Sequence, residues 1–421
     1  MKFPHANRVV LAYSGGLDTT VAIPWLIEHA GAEVLALLVD VGQPDDMPAA
    51  VARALSAGAS KARLVDARDE FAYGCCLPAL KANALYEGVY PLVSALSRPL
   101  IVEKLVEEAR AEGADAVAHG CTGKGNDQVR FELSIAALAP DLKVLAPARH
   151  WGFTRDDSLA YAKSHGIWYS GAARPPYSID ENLWGRAIEC GALEDAWEEP
   201  PEDAYSLTAG AAASSEIPDV ATIEFADGAP IALDGIPLSF PDLIAALGGR
   251  AGAQGVGRID HIENRTVGIK SREIYECPAA IPLIAAHKAL EAMVLTKDEA
   301  RFKAQVEAAW AELAYGGKWH TPLRKALDAF IATTQAAVQG TVKLRMHKGS
   351  VAVAGRRSLF SLYDAGLATY GKGDPFDHAA ADGFLKIASM EIATLARTRG
   401  AAAPVPEGNA HEAAHVAQPV A

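Results

Sequence analysis

The sequence predicts an α/β fold: a doubly wound parallel-sheet domain over residues 1–172, an α+β domain over 173–370 and a C-terminal helix within 371–399. Two observations carry this reading. Through residue 172, short apolar runs alternate with amphipathic stretches, and the runs are near-continuously apolar, as parallel strands covered on both faces must be. Beyond it, apolar runs come in close pairs and then give way to long helical stretches.

In chain order, Val9 to Tyr13 reads as a buried strand and Thr19 to Ala30 as a helix. Val34 to Asp40 is a second strand, Met47 to Ala57 a helix ending near Gly58, and Ala62 to Asp66 a third strand. Pro99 to Glu112 is a helix with proline in its first turn and Gly113 just past its end. Ala116 to His119 and Lys143 to Leu145 complete this set of strands. In the second half, Val220 to Phe225 pairs with Ala229 to Leu233, and Gly257 to Glu273 forms a longer strand pair. Helices follow over Pro278 to Leu295, from the capping-box tetrad Thr296-Lys297-Asp298-Glu299, and over Pro322 to Thr334. Thr341 to His347 and Val351 to Arg356 form a hairpin turning at Lys348-Gly349, and Ala209 to Ser215 is a surface loop. Asp382 to Arg397 is a single amphipathic helix with no partner near it in sequence, suited to packing on another subunit or on its own core. Residues 400–421 lack periodicity and are expected to be a disordered tail.

Half of the 421 residues are hydrophobic and 22% are charged, which supports a large core in two or three units. A net charge of −13 leaves no overall basic surface, so nucleic acid is not an expected partner. Cys75, Cys76, Cys121, Cys190 and Cys277 form neither a CxxC pair nor a cluster with histidine at zinc spacing. Reduced thiols and no protein metal site are expected. No apolar stretch is long enough for a signal-peptide core or a membrane span, so the expected location is cytoplasmic.

The first strand runs directly into Ser14-Gly15-Gly16-Leu17-Asp18-Thr19-Thr20, and a helix follows. Two glycines let backbone approach an anion closely, and the helix N-terminus offers unpaired N–H groups. Ser14, Thr19 and Thr20 add hydroxyls, while Asp18 suits a helix cap or the Mg²⁺ beside a phosphate. The loop is neither a Walker A motif nor GxGxxG. Strand–SGGLD–helix resembles the pyrophosphate loop of the ATP-pyrophosphatase (PP-loop) superfamily, whose members adenylate a substrate oxygen and release pyrophosphate. That superfamily includes argininosuccinate, GMP, asparagine and NAD synthetases and tRNA-thiolating enzymes, and this loop does not choose among them.

A second glycine-rich segment, His119-Gly120-Cys121-Thr122-Gly123-Lys124-Gly125-Asn126-Asp127-Gln128-Val129-Arg130-Phe131-Glu132, follows a short strand. Lys124 can neutralise charge on a leaving phosphate; Asn126, Asp127 and Arg130 suit a zwitterionic amino acid, with Asp127 to the ammonium and Arg130 to a carboxylate. Two such loops at strand C-termini of one sheet favour a shared site. His119 reads as a hydrogen-bonded structural residue or a proton shuttle.

This segment is similar to the signature of the argininosuccinate synthase family. The likeness extends to Tyr86-Glu87-Gly88 with Tyr90, to Ser97-Arg98-Pro99, to Tyr177 through Trp184, and to Gly255 through Asp260. Glu263-Asn264-Arg265 and Lys270 through Tyr275 continue it. The resemblance implies a ligase that joins L-citrulline to L-aspartate with ATP, through a citrullyl-adenylate, releasing AMP and pyrophosphate in arginine biosynthesis. It also implies an ATP-binding PP-loop domain, a synthetase and multimerisation domain, an oligomerisation helix and a homotetramer, with Mg²⁺ carried by the nucleotide. By the same likeness, Ala12, Tyr13, Ser14, Gly15, Gly16, Leu17, Asp18, Thr19, Thr20, Val39 and Gly120 bind ATP. Thr122, Asn126 and Asp127 bind aspartate; Tyr90, Asn126, Arg130, Ser178, Glu263 and Tyr275 bind citrulline. Asp18, Lys124 and Asp127 carry the catalytic weight.

Three positions depart from the family pattern. Val39 replaces a smaller residue beside adenine, where a backbone contact is expected. Ala95 and Ala187 stand where citrulline-contacting serines are expected, with Ser94 or Ser97 as substitutes for the first. The alternative, a tRNA-thiolating enzyme, would share SGGLD but carry a catalytic cysteine pair or an RNA-binding module and basic face, none of which is visible.

Overall fold

The computed structural model describes residues 3–167 and 177–399; the expected tail over 400–421 lies outside them. Five parallel strands form the first sheet in the order β3-β2-β1-β4-β5: β1 (Arg8–Ala12), β2 (Glu33–Asp40), β3 (Lys61–Asp66), β4 (Ala116–Ala118) and β5 (Lys143–Leu145). Alternate side chains of the central strands feed two different cores. Val10, Leu35, Leu37 and Val39 pack on one face, and Val9, Leu11, Val34, Ala36 and Leu38 on the other. Burial on both faces is why these runs are almost wholly apolar. Strand order reverses between β1 and β4, so the loops that leave these two strands open into one crevice.

Two antiparallel sheets follow. One has the order β11-β12-β7-β6, from β6 (Ser178–Asn182), β7 (Gly185–Glu189), β11 (Arg258–Asn264) and β12 (Lys270–Glu276). The other runs β10-β9-β8-β13-β14, from β8 (Asp219–Ala226), β9 (Ala229–Leu233), β10 (Ile236–Pro237), β13 (Gly340–His347) and β14 (Ser350–Arg357), with helix Ala280–Val294 packed on its last two strands. The β6–β7 hairpin escapes a periodicity reading because its strands are short and largely polar. It docks on the first domain through Leu183 N–H to the Val41 carbonyl (3.0 Å), Asn182 Nδ2 to the Val93 carbonyl (2.9 Å) and Trp184 Nε1 to the Pro91 carbonyl (3.0 Å). Gly42 makes this possible: its φ is +96°, and a Cβ there would lie 2.4 Å from Leu183 Cγ.

Two helices differ from expectation. The helix expected from Pro99 begins at Val93 and carries Pro99 inside it. Its start is set by tertiary structure: Leu92 enters with φ +67°, and the Ser94 N–H donates to the Tyr90 hydroxyl at 2.9 Å, a cap supplied from outside the helix. The single helix expected over Asp382 to Arg397 is two, His378–Ala388 and Met390–Arg399. At the junction, Ser389 Oγ donates to the Lys386 carbonyl (3.2 Å), the local competition by which serine ends helices. These helices belong to a separate unit, residues 363–421, distinct from the unit spanning 1–362.

Candidate active site

The first loop is shaped by its own backbone. Gly15 has φ +76° and lies so close to helix Met47–Ser56 that a Cβ would sit 3.0 Å from Ala50 Cβ. Arg53 Nη1 donates to the Gly15 carbonyl (2.6 Å), and Thr19 and Thr20 Oγ1 donate to the Gly16 carbonyl (3.2 and 2.7 Å). Ser14 Oγ accepts from the Gly16 N–H (3.3 Å) and lies 3.1 Å from Thr19 Oγ1. Gly16, the N-cap of helix Leu17–Ala30, has no side chain to cap it, which leaves first-turn N–H groups available to an anion. Ala12 ends β1 and Leu17 is buried at the helix start; Tyr13 is also buried, its hydroxyl 2.9 Å from Thr20 Oγ1. These three can offer a ligand backbone rather than side chain. Val39 is buried too, and its carbonyl accepts from Gln43 Nε2 at 2.9 Å.

Asp18 does not cap its helix. Its carboxylate faces helix Arg155–Ser164: local burial raises its pKa, while the charge of Arg155 and a hydrogen bond from Ser158 pull it back.

The second loop interlocks with the first. A Cβ on Gly120 would approach Thr19 Cγ2 to 2.8 Å, so only glycine lets the loops pack this closely. His119 is buried, with Nε2 3.3 Å from Glu132 Oε1 and Nδ1 accepting from the Cys121 N–H (3.3 Å); both ring nitrogens are engaged, the arrangement of a structural histidine. Thr122 and Lys124 are exposed. Among the described residues, no ion pair or hydrogen bond engages the Lys124 ammonium, while its carbonyl accepts from Arg265 Nη1 at 3.2 Å.

Beyond the loops the site becomes buried and tightly partnered. Glu263 of β11, 2% exposed, receives the Tyr275 hydroxyl on one oxygen and the Tyr315 hydroxyl on the other, each at 2.6 Å. Asn126 Nδ2 donates to the Tyr315 hydroxyl (2.8 Å) and to Glu263 (3.3 Å), and its Oδ1 accepts from the Thr266 N–H (2.9 Å). Burial, reinforced by the Glu263 charge, holds the Tyr275 and Tyr315 phenols well above the usual tyrosine value, so both stay protonated donors. The Tyr90 ring stacks on Tyr275 at 4.1 Å. Arg130 donates to Asp127 Oδ1 (2.8 Å) and to the Tyr315 carbonyl (2.9 Å). Arg98 holds Asp127 Oδ2 from the other side (2.7 Å) and also reaches Asp180 of β6 (2.6 Å). Burial pushes the Asp127 carboxyl up, but the two guanidinium groups outweigh it and keep Asp127 ionised below its ordinary value.

Tyr90, Asn126, Asp127, Arg130, Glu263 and Tyr275 therefore come together in one cluster. Ser178 takes no part in its hydrogen bonds and stands exposed at the start of β6, opposite Glu189. Ala187 lies opposite both Asp180 and Tyr275 across its neighbouring strands, and Ala95 is fully buried. Nearby, Ser97 Oγ donates to the Ser94 carbonyl (3.1 Å) and accepts from Arg98 Nη1 (3.0 Å). Sequence reasoning missed Arg98 and Tyr315 as site residues. Arg98 stood inside a matched motif; Tyr315, at the end of a long amphipathic helix, carried no local signal. Among the described residues, no group of three or more His, Cys, Asp or Glu side chains could hold a metal ion.

The arginosuccinate synthase N-terminal HUP domain matches residues 8–168, and the arginosuccinate synthase C-terminal domain matches 177–395. The chain belongs to the argininosuccinate synthase family. Relatives named argininosuccinate synthase include that of Gloeobacter violaceus, 53% identical and covering 94% of this chain and 99% of the relative. That of Bacillus licheniformis is 56% identical over 90% of this chain and 94% of its own length. Membership of the argininosuccinate synthase family makes the chain an enzyme, a ligase of arginine biosynthesis in the PP-loop superfamily that uses ATP. It also implies citrulline and aspartate as the other small-molecule substrates. Among the described residues, no helix is long and apolar enough to cross a membrane.

Proposed function

We propose that this enzyme condenses L-citrulline with L-aspartate in two steps across the crevice between β1 and β4. The observation that carries the reading is the interlock of Gly120 with Thr19, because the segment that packs on the phosphate-ready loop runs on into Asn126 and Arg130 of the buried cluster around Glu263. In the first step the ureido oxygen of citrulline attacks the α-phosphorus of ATP in line, forming a citrullyl-adenylate and expelling pyrophosphate. In the second, the aspartate amine attacks the activated carbon, loses its proton and expels AMP.

The chain supplies positioning and charge rather than a nucleophile. Ser14 to Thr20 and Gly120 receive the nucleotide through backbone and hydroxyl groups, with the exposed Lys124 ammonium placed to meet charge growing on pyrophosphate. Mg²⁺, carried by the nucleotide, would neutralise the same phosphates. Asp18 would act near them only on turning from Ser158 and Arg155. Tyr90, Asn126, Arg130, Glu263 and Tyr275 hold citrulline; Thr122, Asn126 and Asp127 hold aspartate. Ser178 reaches citrulline only if the ligand extends to the open edge of β6. A homotetramer fits the exposed apolar side chains Phe384, Ile387, Met390, Ile392 and Leu395 of the two C-terminal helices, and the cytoplasm is the compartment proposed for it.

Product analysis tests the reading. With ATP, citrulline and aspartate, the purified protein should yield AMP, pyrophosphate and argininosuccinate in equal amounts, and no turnover without citrulline. ADP and phosphate would overturn it, and tRNA-stimulated release of pyrophosphate without citrulline would favour the thiolating alternative.

A further inference from the structure

We infer that Tyr315 is the positioning residue of the citrulline pocket: one residue that fixes three of the groups assigned to that substrate, of which Asn126 is shared with aspartate, and none of the nucleotide contacts. The inference rests on the reading of Asn126, Arg130 and Glu263 as citrulline ligands. Its hydroxyl donates to Glu263 Oε1 (2.6 Å) and accepts from Asn126 Nδ2 (2.8 Å), while its backbone carbonyl accepts from Arg130 Nε (2.9 Å). The Arg130 guanidinium also lies over its ring, 4.9 Å from the centroid.

The ring itself is locked. Tyr86 stacks on it face to face, 3.5 Å between centroids and 3° from parallel, and Tyr86 is tied in turn by its hydroxyl to the Asn264 carbonyl (2.7 Å). Just after Tyr315, Gly317 (φ +73°) presses on Arg130: a Cβ there would lie 2.8 Å from Arg130 Cα. The end of helix Lys297–Tyr315 is thus fitted to the second loop and cannot shift without moving Arg130. On its far side the Tyr86–Tyr315 pair borders an open pocket of about 500 Å³, lined also by Leu133, Arg265 and Glu312. The aromatic pair is therefore the wall between that pocket and the buried Glu263 carboxylate. It keeps water off an ion whose two oxygens are already oriented, leaving the remaining acceptor directions for the substrate.

Tyr315→Phe separates the hydroxyl from the wall, since the ring stack and the backbone carbonyl survive. A lost hydrogen bond to a charged group corresponds to roughly 10- to 100-fold in affinity. The KM for citrulline should rise by that factor, with kcat changed less than about threefold, a smaller rise in the aspartate KM through the shared Asn126, and the KM for ATP unmoved. Tyr86→Leu, which keeps the hydroxyl but frees the ring, should raise the citrulline KM by a few-fold with the ATP KM unmoved, and decides the matter if Tyr315→Phe does not fold. An unchanged citrulline KM, or an equal rise for all three substrates, overturns the inference. Wild-type protein lacking citrulline-dependent AMP formation would instead overturn the underlying assignment of function.

Discussion

At the end of the site proposed to hold the nucleotide, Ser14, Thr122 and Lys124 are open to solvent, and the loops owe their shape to glycines and backbone hydrogen bonds. At the other end, Asn126, Arg130, Glu263 and Tyr275 are buried and already held by hydrogen bonds. The difference fits the two tasks. A triphosphate brings its own charge and needs donors that are still free, whereas a small zwitterion is recognised by groups oriented before it arrives. The open end is therefore suited to stabilising charge that develops during reaction, and the buried end to selecting the substrate.

The largest expected effect comes from the open end. Lys124→Ala should lower kcat by about 10²–10³-fold, the cost of one preorganised charge donor, with the citrulline KM changed less than about threefold. Steady-state pyrophosphate release measures both, and an intact kcat would remove Lys124 from that role. Gly120→Ala probes the seam: its Cβ, 2.8 Å from Thr19 Cγ2, would prise the loops apart. The ATP KM should rise by roughly tenfold, since a misplaced binding group costs of the order of 1–2 kcal/mol, while citrulline binding to the free enzyme stays within twofold. Equal losses for both ligands would mean the two ends are one rigid unit.

The smallest effect lies behind the buried end. Glu273 shares Arg265 with Glu189; burial, with the Glu189 charge beside it, pushes Glu273 up to about 8 against the pull of Arg265. Its folded pKa is raised, so its stabilisation is complete below its unfolded value of about 4.5 and is lost as pH rises through about 8. Thermal melts between about pH 6 and 9 should fall more steeply for wild type than for Glu273→Gln, by a few degrees. Parallel curves would contradict the assignment.

The open end was legible in the sequence because its chemistry is local: glycines, hydroxyls and a lysine packed into two short segments, each after an apolar strand. The alternation of apolar runs likewise placed β1 to β5. What escaped is what the chain brings together from afar. Tyr315 meets Arg130 across 185 positions, and Arg98 meets Asp180 across 82, so neither contact leaves a local pattern. The start of helix Val93–Ala111 was missed for the same reason, being capped by a tyrosine hydroxyl from outside it. The direction of Asp18 depended on a helix well over a hundred residues away in sequence.

In the proposed reaction the two ends of the site meet through a bond between citrulline and the α-phosphorus. Citrulline labelled with ¹⁸O at the ureido oxygen should pass that oxygen to AMP during turnover, seen by mass spectrometry as AMP heavier by two mass units. AMP formed without the label would rule out that bond.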